Sequence, residues 1–265
     1  MKIPAISAAT TAATTAAIAI AFLFTTLHSS AAETGDLKIQ FKYGGDAPEA
    51  KSITPTADGE YCGKHEIVDP RLLVNGENQG LKNVLVYVYT GRGGSDLDYD
   101  GGEPETKELA NQDCQFEPHI VIAKAGDTLK VTNPDEIGHN ANIQFFKNDS
   151  VNPMIPAGQE ILVELEEPEP APITVSCNIH PWMTAKLVVL DHPYAAVSDS
   201  DGNLVIKGLP VGEELVFRMF HESARIKEAE VDGKKVKWKK SRFEVKIQPG
   251  VNDMGTVVLD ADQFD

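Results

Sequence analysis

The chain has 265 residues, with 24 Lys and Arg against 40 Asp and Glu and a formal net charge of −16. That length supports a sizeable core and one or two domains, and the composition is that of an ordinary globular protein. The acidic balance argues against nucleic acid or an anionic membrane surface as the main partner, and it permits a basic protein partner.

Residues 1–32 carry Lys2, the apolar run "AAIAIAFLF" and the small-residue stretch Ser30-Ala31-Ala32. This is the layout of a secretory signal peptide, with the mature chain starting at about Glu33. An uncleaved anchor is the alternative, but the apolar run is short and threonine-rich for a spanning helix. The expectation is an exported protein, periplasmic, cell-surface or secreted, with no membrane insertion once the signal is removed.

Residues 33–110 read as an N-terminal β region. "DLKIQFKY" alternates polar and apolar, and "NVLVYVYT" has the β-branched and aromatic content of a buried strand. The glycine-rich, acidic "GRGGSDLDYDGGEPETKE" reads as a loop. Asp96, Asp98 and Asp100 begin like a calcium loop, but Lys107 stands where a bidentate Glu is needed, so a solvated acidic loop is expected.

Residues 111–191 continue with "HIVIA", "TLKVTN", "NANIQFF", "EILVELE", "ITVSC" and "AKLVVLD", each bounded by Gly, Pro, Asn or Asp. Short strands in that rhythm suggest a β-sandwich or barrel. Residues 192–265 go on in the same way, with a "DSDG" turn, an "LPVG" turn and a hairpin turning at Asp232-Gly233. The sequence therefore predicts an all-β protein without convincing amphipathic helices.

The mature chain holds three cysteines, Cys62, Cys114 and Cys177. An exported protein usually oxidises spare thiols, and an odd number leaves one over. Cys177 has His180 and Met183 close by, so it is expected to stay a metal-binding thiolate while Cys62 pairs with Cys114. Other pairings remain open from sequence alone.

In "CNIHPWM", residues 177–183, a thiol, an imidazole and a thioether fall within seven positions. Soft sulfur ligands favour copper, and two imidazoles with one thiolate make a trigonal site with a weak axial Met. The missing imidazole is best supplied by His139 in "NPDEIGHNANI". Zinc is a weaker rival because Met ligates it poorly. A Cys–His nucleophilic pair lacks an evident orienting Asn or Asp.

"FEPHIVIAKAGDTLKVTNPDEIGHNANIQFF" followed by "ITVSCNIHPWMTAKLVVLD" resembles the cupredoxins, the type 1 blue copper proteins, and most closely the amicyanin and pseudoazurin branch. The resemblance implies a Greek-key β-sandwich over about residues 113–191 holding one mononuclear copper. His139, Cys177 and His180 would be equatorial ligands and Met183 the axial one. Gly138 falls where some relatives offer a carbonyl near the metal, and Asn140 where an Asn ties the two ligand loops together. His180 would lie near the surface, with Pro181 and Trp182 as an apolar docking patch for a redox partner. His119 and His65 are expected to be structural.

"AAVSDSDGNLVIKGLPVGEELVFRMFHE" is similar to carboxypeptidase regulatory-like domains, small prealbumin-type sandwiches, and "GDLKIQFKYGGDAPEA" with "LKNVLVYVYTG" resembles their opening strands. This implies a second sandwich, discontinuous across 36–110 and 192–265. The alternative is an N-terminal strand pair that completes the copper-domain sheet. The functional expectation is an exported single-electron carrier rather than an enzyme, the alternative being a copper-carrying or cell-surface binding module without a redox role.

Overall fold

The computed structural model describes residues 33–264, and the signal-like segment 1–32 lies outside the described residues. The described chain is all-β, with two sandwiches and one short α-helical turn, Gly59–Cys62.

The first sandwich is built from both ends of the described chain. Its five-stranded sheet runs in the order Asn203–Pro210, Thr34–Gly44, Gly250–Asp260, Glu228–Val231, Lys234–Lys237. The facing sheet runs Ala195–Val197, Leu85–Val88, Glu214–Phe220, Arg242–Lys246. In Thr34–Gly44 the period-two pattern buries Leu37, Ile39 and Phe41 against Val86, Val88 and Phe217 of the other sheet. Burying a side chain such as Phe41 contributes about 1.5–3 kcal/mol relative to leaving it in water. Asp232 and Gly233 both take positive φ, 47° and 77°, between Glu228–Val231 and Lys234–Lys237. That is the mirror-image turn whose twist matches a two-residue hairpin.

The second sandwich holds the middle of the chain. One sheet runs Glu160–Glu164, Thr128–Thr132, Thr106–Gln112, Gln115–Glu117, and the other Ile120–Lys124, Thr184–Leu190, Ile173–Ser176, Asn142–Ile143. A two-stranded ribbon, His139–Asn140 with Met154–Ile155, closes one end. Leu109, Leu129, Val131, Val175 and Leu187 fill the space between the sheets.

Leu85–Val88 is buried at every position. Val86 and Val88 face the core of the first sandwich, while Leu85 and Tyr87 pack on Ile120, Val188 and Leu190 of the second. A strand covered on both faces has no solvent side to carry polar residues, so it reads as an unbroken apolar run. Thr184–Leu190 ends in four buried residues for the same reason.

Residues 33–110 serve both sandwiches. Leu85–Val88 pairs with Ala195–Val197 and Glu214–Phe220, whereas Thr106–Gln112 runs across the expected 110/111 boundary and pairs in parallel with Thr128–Thr132. Cys62 and Ile67 sit in the core of the second sandwich. Among the described residues, Asp96, Asp98 and Asp100 are not part of any convergent group of His, Cys, Asp and Glu ligand atoms.

Candidate metal centre

Two loops at one end of the second sandwich carry the chemistry. The first spans Asn133 to Asn140. Asn133 pins it by donating Nδ2–H to the carbonyls of Ile137 and Ile155, both at 2.8 Å. The loop delivers His139 into the short ribbon, fully buried. The second loop leaves Ile173–Ser176 and returns in Thr184–Leu190. It is closed by the Cys177 N–H donating to the Met183 carbonyl at 3.1 Å and the Met183 N–H donating to the His180 carbonyl at 2.9 Å. The seven-residue spacing thus corresponds to a loop whose two sulfur residues are joined by backbone hydrogen bonding. Asn140 links the loops, its Oδ1 accepting the Asn178 N–H at 2.8 Å.

His139, Cys177 and His180 each bring one ligand atom within 4.8 Å of the others, and all three residues are buried. The two Nδ1 atoms lie 2.9 Å apart, and the His180 Nδ1 is 3.6 Å from the Cys177 Sγ. Met183 is buried in the same core cluster as Cys177.

Both rings spend their outer nitrogen on a carboxylate. His139 Nε2 is 2.9 Å from Asp135 Oδ2, and His180 Nε2 is 2.9 Å from Asp58 Oδ2. With Nε2–H donated outward, each ring turns an Nδ1 lone pair inward. Two lone pairs at this separation beside a sulfur need a shared proton or a cation between them. The donor set of two imidazoles, a thiolate and a nearby thioether fits a soft or borderline metal ion. A second convergence of Cys114, Asp135 and His139 offers no thiolate, because the Cys114 sulfur is bonded to Cys62.

The electrostatics match. Burial alone would raise the Cys177 pKa, but the His139 ring and the backbone amides of Asn140, His180 and Ile179 outweigh it and bring the thiol down to about 6. Burial would also depress His139, yet hydrogen bonding to Asp135 and the adjacent Cys177 sulfur hold its pKa above the ordinary value. Asp135 is held below the usual carboxylate range, against the opposing effect of burial, by His139 and by the amides of Cys114 and Asp113. Those two amides point at the carboxylate because Asp113 and Cys114 take positive φ, 54° and 57°, in the turn before Gln115–Glu117. The Cys62–Cys114 disulfide fastens the helical turn that carries Asp58 to that same turn.

One site expectation is corrected by the structure. His180 does not reach the surface itself: it is 0 % exposed, because Asp58, a half-exposed carboxylate one hydrogen bond away, covers the edge of its ring. Pro181 is exposed, while Trp182 is half-buried against the core and donates its indole N–H to the Cys114 carbonyl at 3.0 Å. The Trp182 ring centre lies 5.2 Å from that of His180. Gly138 directly precedes His139, and a Cβ added there would meet the Met154 methyl at 3.6 Å.

Among the described residues, the other histidines stand apart from this group. His119 contacts the Thr184 carbonyl and Glu222, His65 pairs with Asp113, and the His192 Nε2 lies 2.8 Å from the Val88 carbonyl. Sequence reasoning missed Asp135 and Asp58. Asp135, four residues before His139, carried the signal of an acid beside a candidate ligand. Asp58 carried none, since 122 positions separate it from its partner.

No family model and no curated protein sequence matches the chain. Among solved structures, similarity is found to a Cu-containing nitrite reductase from Thermus scotoductus SA-01, at 17 % identity and TM-score 0.31, covering 37 % of this chain. The matched region spans only 25 % of that reductase. A mutant amicyanin in its Cu(I) form matches at 21 % identity and TM-score 0.28, covering 31 % of this chain and 79 % of that one. A purple cupredoxin from Nitrosopumilus maritimus matches at 20 % identity and TM-score 0.27, covering 32 % and 98 %.

Proposed function

We propose that the protein is an exported one-electron carrier built around a single type 1 copper ion. His139, Cys177, His180 and Met183 would hold the ion. The observation that carries this reading is the buried convergence of two Nδ1 atoms and a low-pKa thiol, with a carboxylate on the outer nitrogen of each ring. Bound there, copper would supply a one-electron Cu(II)/Cu(I) couple.

The chain's part is to hold its ligands in nearly one geometry for both oxidation states. Asp135 fixes the His139 tautomer, and Asn140 ties the first ligand loop to the second. The backbone bonds between residues 177, 180 and 183 set the width of the second loop. The buried Cys177 thiol, 2 % exposed and faced by the His139 and His180 rings, suits a ligand better than a nucleophile. The acidic surface suits a basic redox protein, steered by charge.

Recombinant protein loaded with copper should show an intense visible thiolate-to-Cu(II) charge-transfer band and a narrow-hyperfine EPR signal. Cys177→Ser should lose both. A colourless protein that holds stoichiometric Cu(II) would overturn the assignment.

A further inference from the structure

Asp58 belongs to none of the strands of the second sandwich. It immediately precedes the helical turn Gly59–Cys62 with a left-handed backbone, φ 46° and ψ 40°, and its carbonyl accepts the N–H groups of Tyr61 and Cys62 at 2.9 Å each. A left-handed conformation is uncommon for a non-glycine residue and costs of order 1–3 kcal/mol. Here it is held by the turn that follows and by the Cys62–Cys114 bond. Ile53, Tyr61 and Ile67 anchor the surrounding segment in the core cluster that also contains Cys177 and Met183. The result is a fixed arm that sets one carboxylate oxygen 2.9 Å from the His180 Nε2.

We propose that Asp58 is a positioning residue for the copper couple: it locks His180 with Nδ1 facing the metal and biases the site toward Cu(II). This rests on the copper reading of the site. An imidazole whose outer N–H is donated to a carboxylate is a more basic ligand, and a fixed negative charge near the metal favours the more positive oxidation state. With Asp135 on His139, both imidazoles carry this arrangement. The Asp58 side chain is 47 % exposed, so solvent and salt weaken its field, whereas Asp135 is buried. The Asp58 contribution therefore belongs at the low end of the roughly 10–100-fold range typical of such outer partners.

The test measures the midpoint potential and optical spectrum of the copper-loaded full chain for the wild type, Asp58→Asn, Asp58→Ala and Glu60→Gln. Glu60 is an exposed acid two residues away with no bond to His180, so it controls for charge alone. Asp58→Asn keeps an acceptor oxygen and removes the charge. It should raise the potential by the equivalent of about a tenfold change in relative Cu(II) and Cu(I) affinity, about 59 mV for one electron. Glu60→Gln should change that ratio less than twofold. Nitrogen NMR of the metal-free protein gives a second readout: His180 should be held as the Nε2–H tautomer in the wild type and lose that preference in Asp58→Ala. Equal shifts in Asp58→Asn and Glu60→Gln, or an unchanged His180 tautomer in Asp58→Ala, would overturn the proposal while leaving the copper site standing. A wild type with no copper couple would overturn both.

Discussion

Replacing Asp135 with Asn tests how the first ligand loop is held, because four donors converge on the two carboxylate oxygens. The Asp113 N–H and the Tyr61 hydroxyl reach Oδ1 at 2.8 and 3.2 Å, while the Cys114 N–H and His139 Nε2 reach Oδ2 at 2.9 Å each. An Asn oxygen can serve one of these pairs, and its amide then meets the other as donor against donor. With the oxygen kept on Asp113 and Tyr61, the buried Cys114 N–H is orphaned at a cost of about 1–3 kcal/mol. His139 can escape by moving its proton to Nδ1, but that proton then points at Cys177 and His180. The expected outcome is a metal-free protein about 2–3 kcal/mol less stable, melting roughly 8 °C lower for a unit of this size. Copper affinity should fall roughly 10–100-fold. Thermal melts in the presence of chelator give the first quantity, and copper competition titration gives the second. A variant that melts with the wild type and binds copper as tightly would refute the claim that this carboxylate sets the tautomer of His139.

Three further outcomes follow from particular contacts. Replacing Cys62 and Cys114 together with Ser opens a loop with a sequence separation of 52 and should cost about 4 kcal/mol by chain entropy, read from denaturant melts of the metal-free protein. Glu222→Ala strips a half-buried carboxylate from His119 and Lys186, both at 2.9 Å across the two sandwiches, and should cost about 2–3 kcal/mol by calorimetry. The Cys177 pKa, lowered from 9.0 to about 6, contributes stability that is complete above 9.0 and lost as pH falls through about 6. His139, with a raised pKa, contributes stability that is complete below 6.5 and lost as pH rises through its folded value. Above pH 6.5 the two slopes oppose each other, so metal-free stability should be flat until His139 deprotonates. Cys177→Ser should replace the plateau with a different slope in melts across this range, while ultraviolet thiolate absorbance of the wild type should titrate near 6.

What could be read from the sequence was what a short window encodes. Leu37, Ile39 and Phe41 alternate with polar neighbours, so one covered face was visible, and Asp232-Gly233 marked its hairpin. "NVLVYVYT" read as a buried strand, but its eight letters could not say that the second face lies on Ile120, Val188 and Leu190. "CNIHPWM" exposed its three donors because the loop is closed on itself by local backbone bonds. His139 could be added because a single turn-then-strand context carried a further histidine.

The covered edge of His180 was misread for a physical reason. A side chain's exposure depends on whatever packs on it, and the cover here comes from a segment that belongs to no strand of that sandwich. Residues 51–68 show only turn signals, and nothing local marks Asp58 as different from the other acids of a chain with 40 of them. Its position is fixed by Cys62, whose expected pairing with Cys114 rested on Cys177 standing beside His180 and Met183, and on the other side of that bond Asp113 and Cys114 aim their amides at Asp135. The disulfide is therefore the long-range link between the two carboxylates that hold the imidazoles. Once the pairing is given, both carboxylates follow from neighbours within a few residues of the cystine.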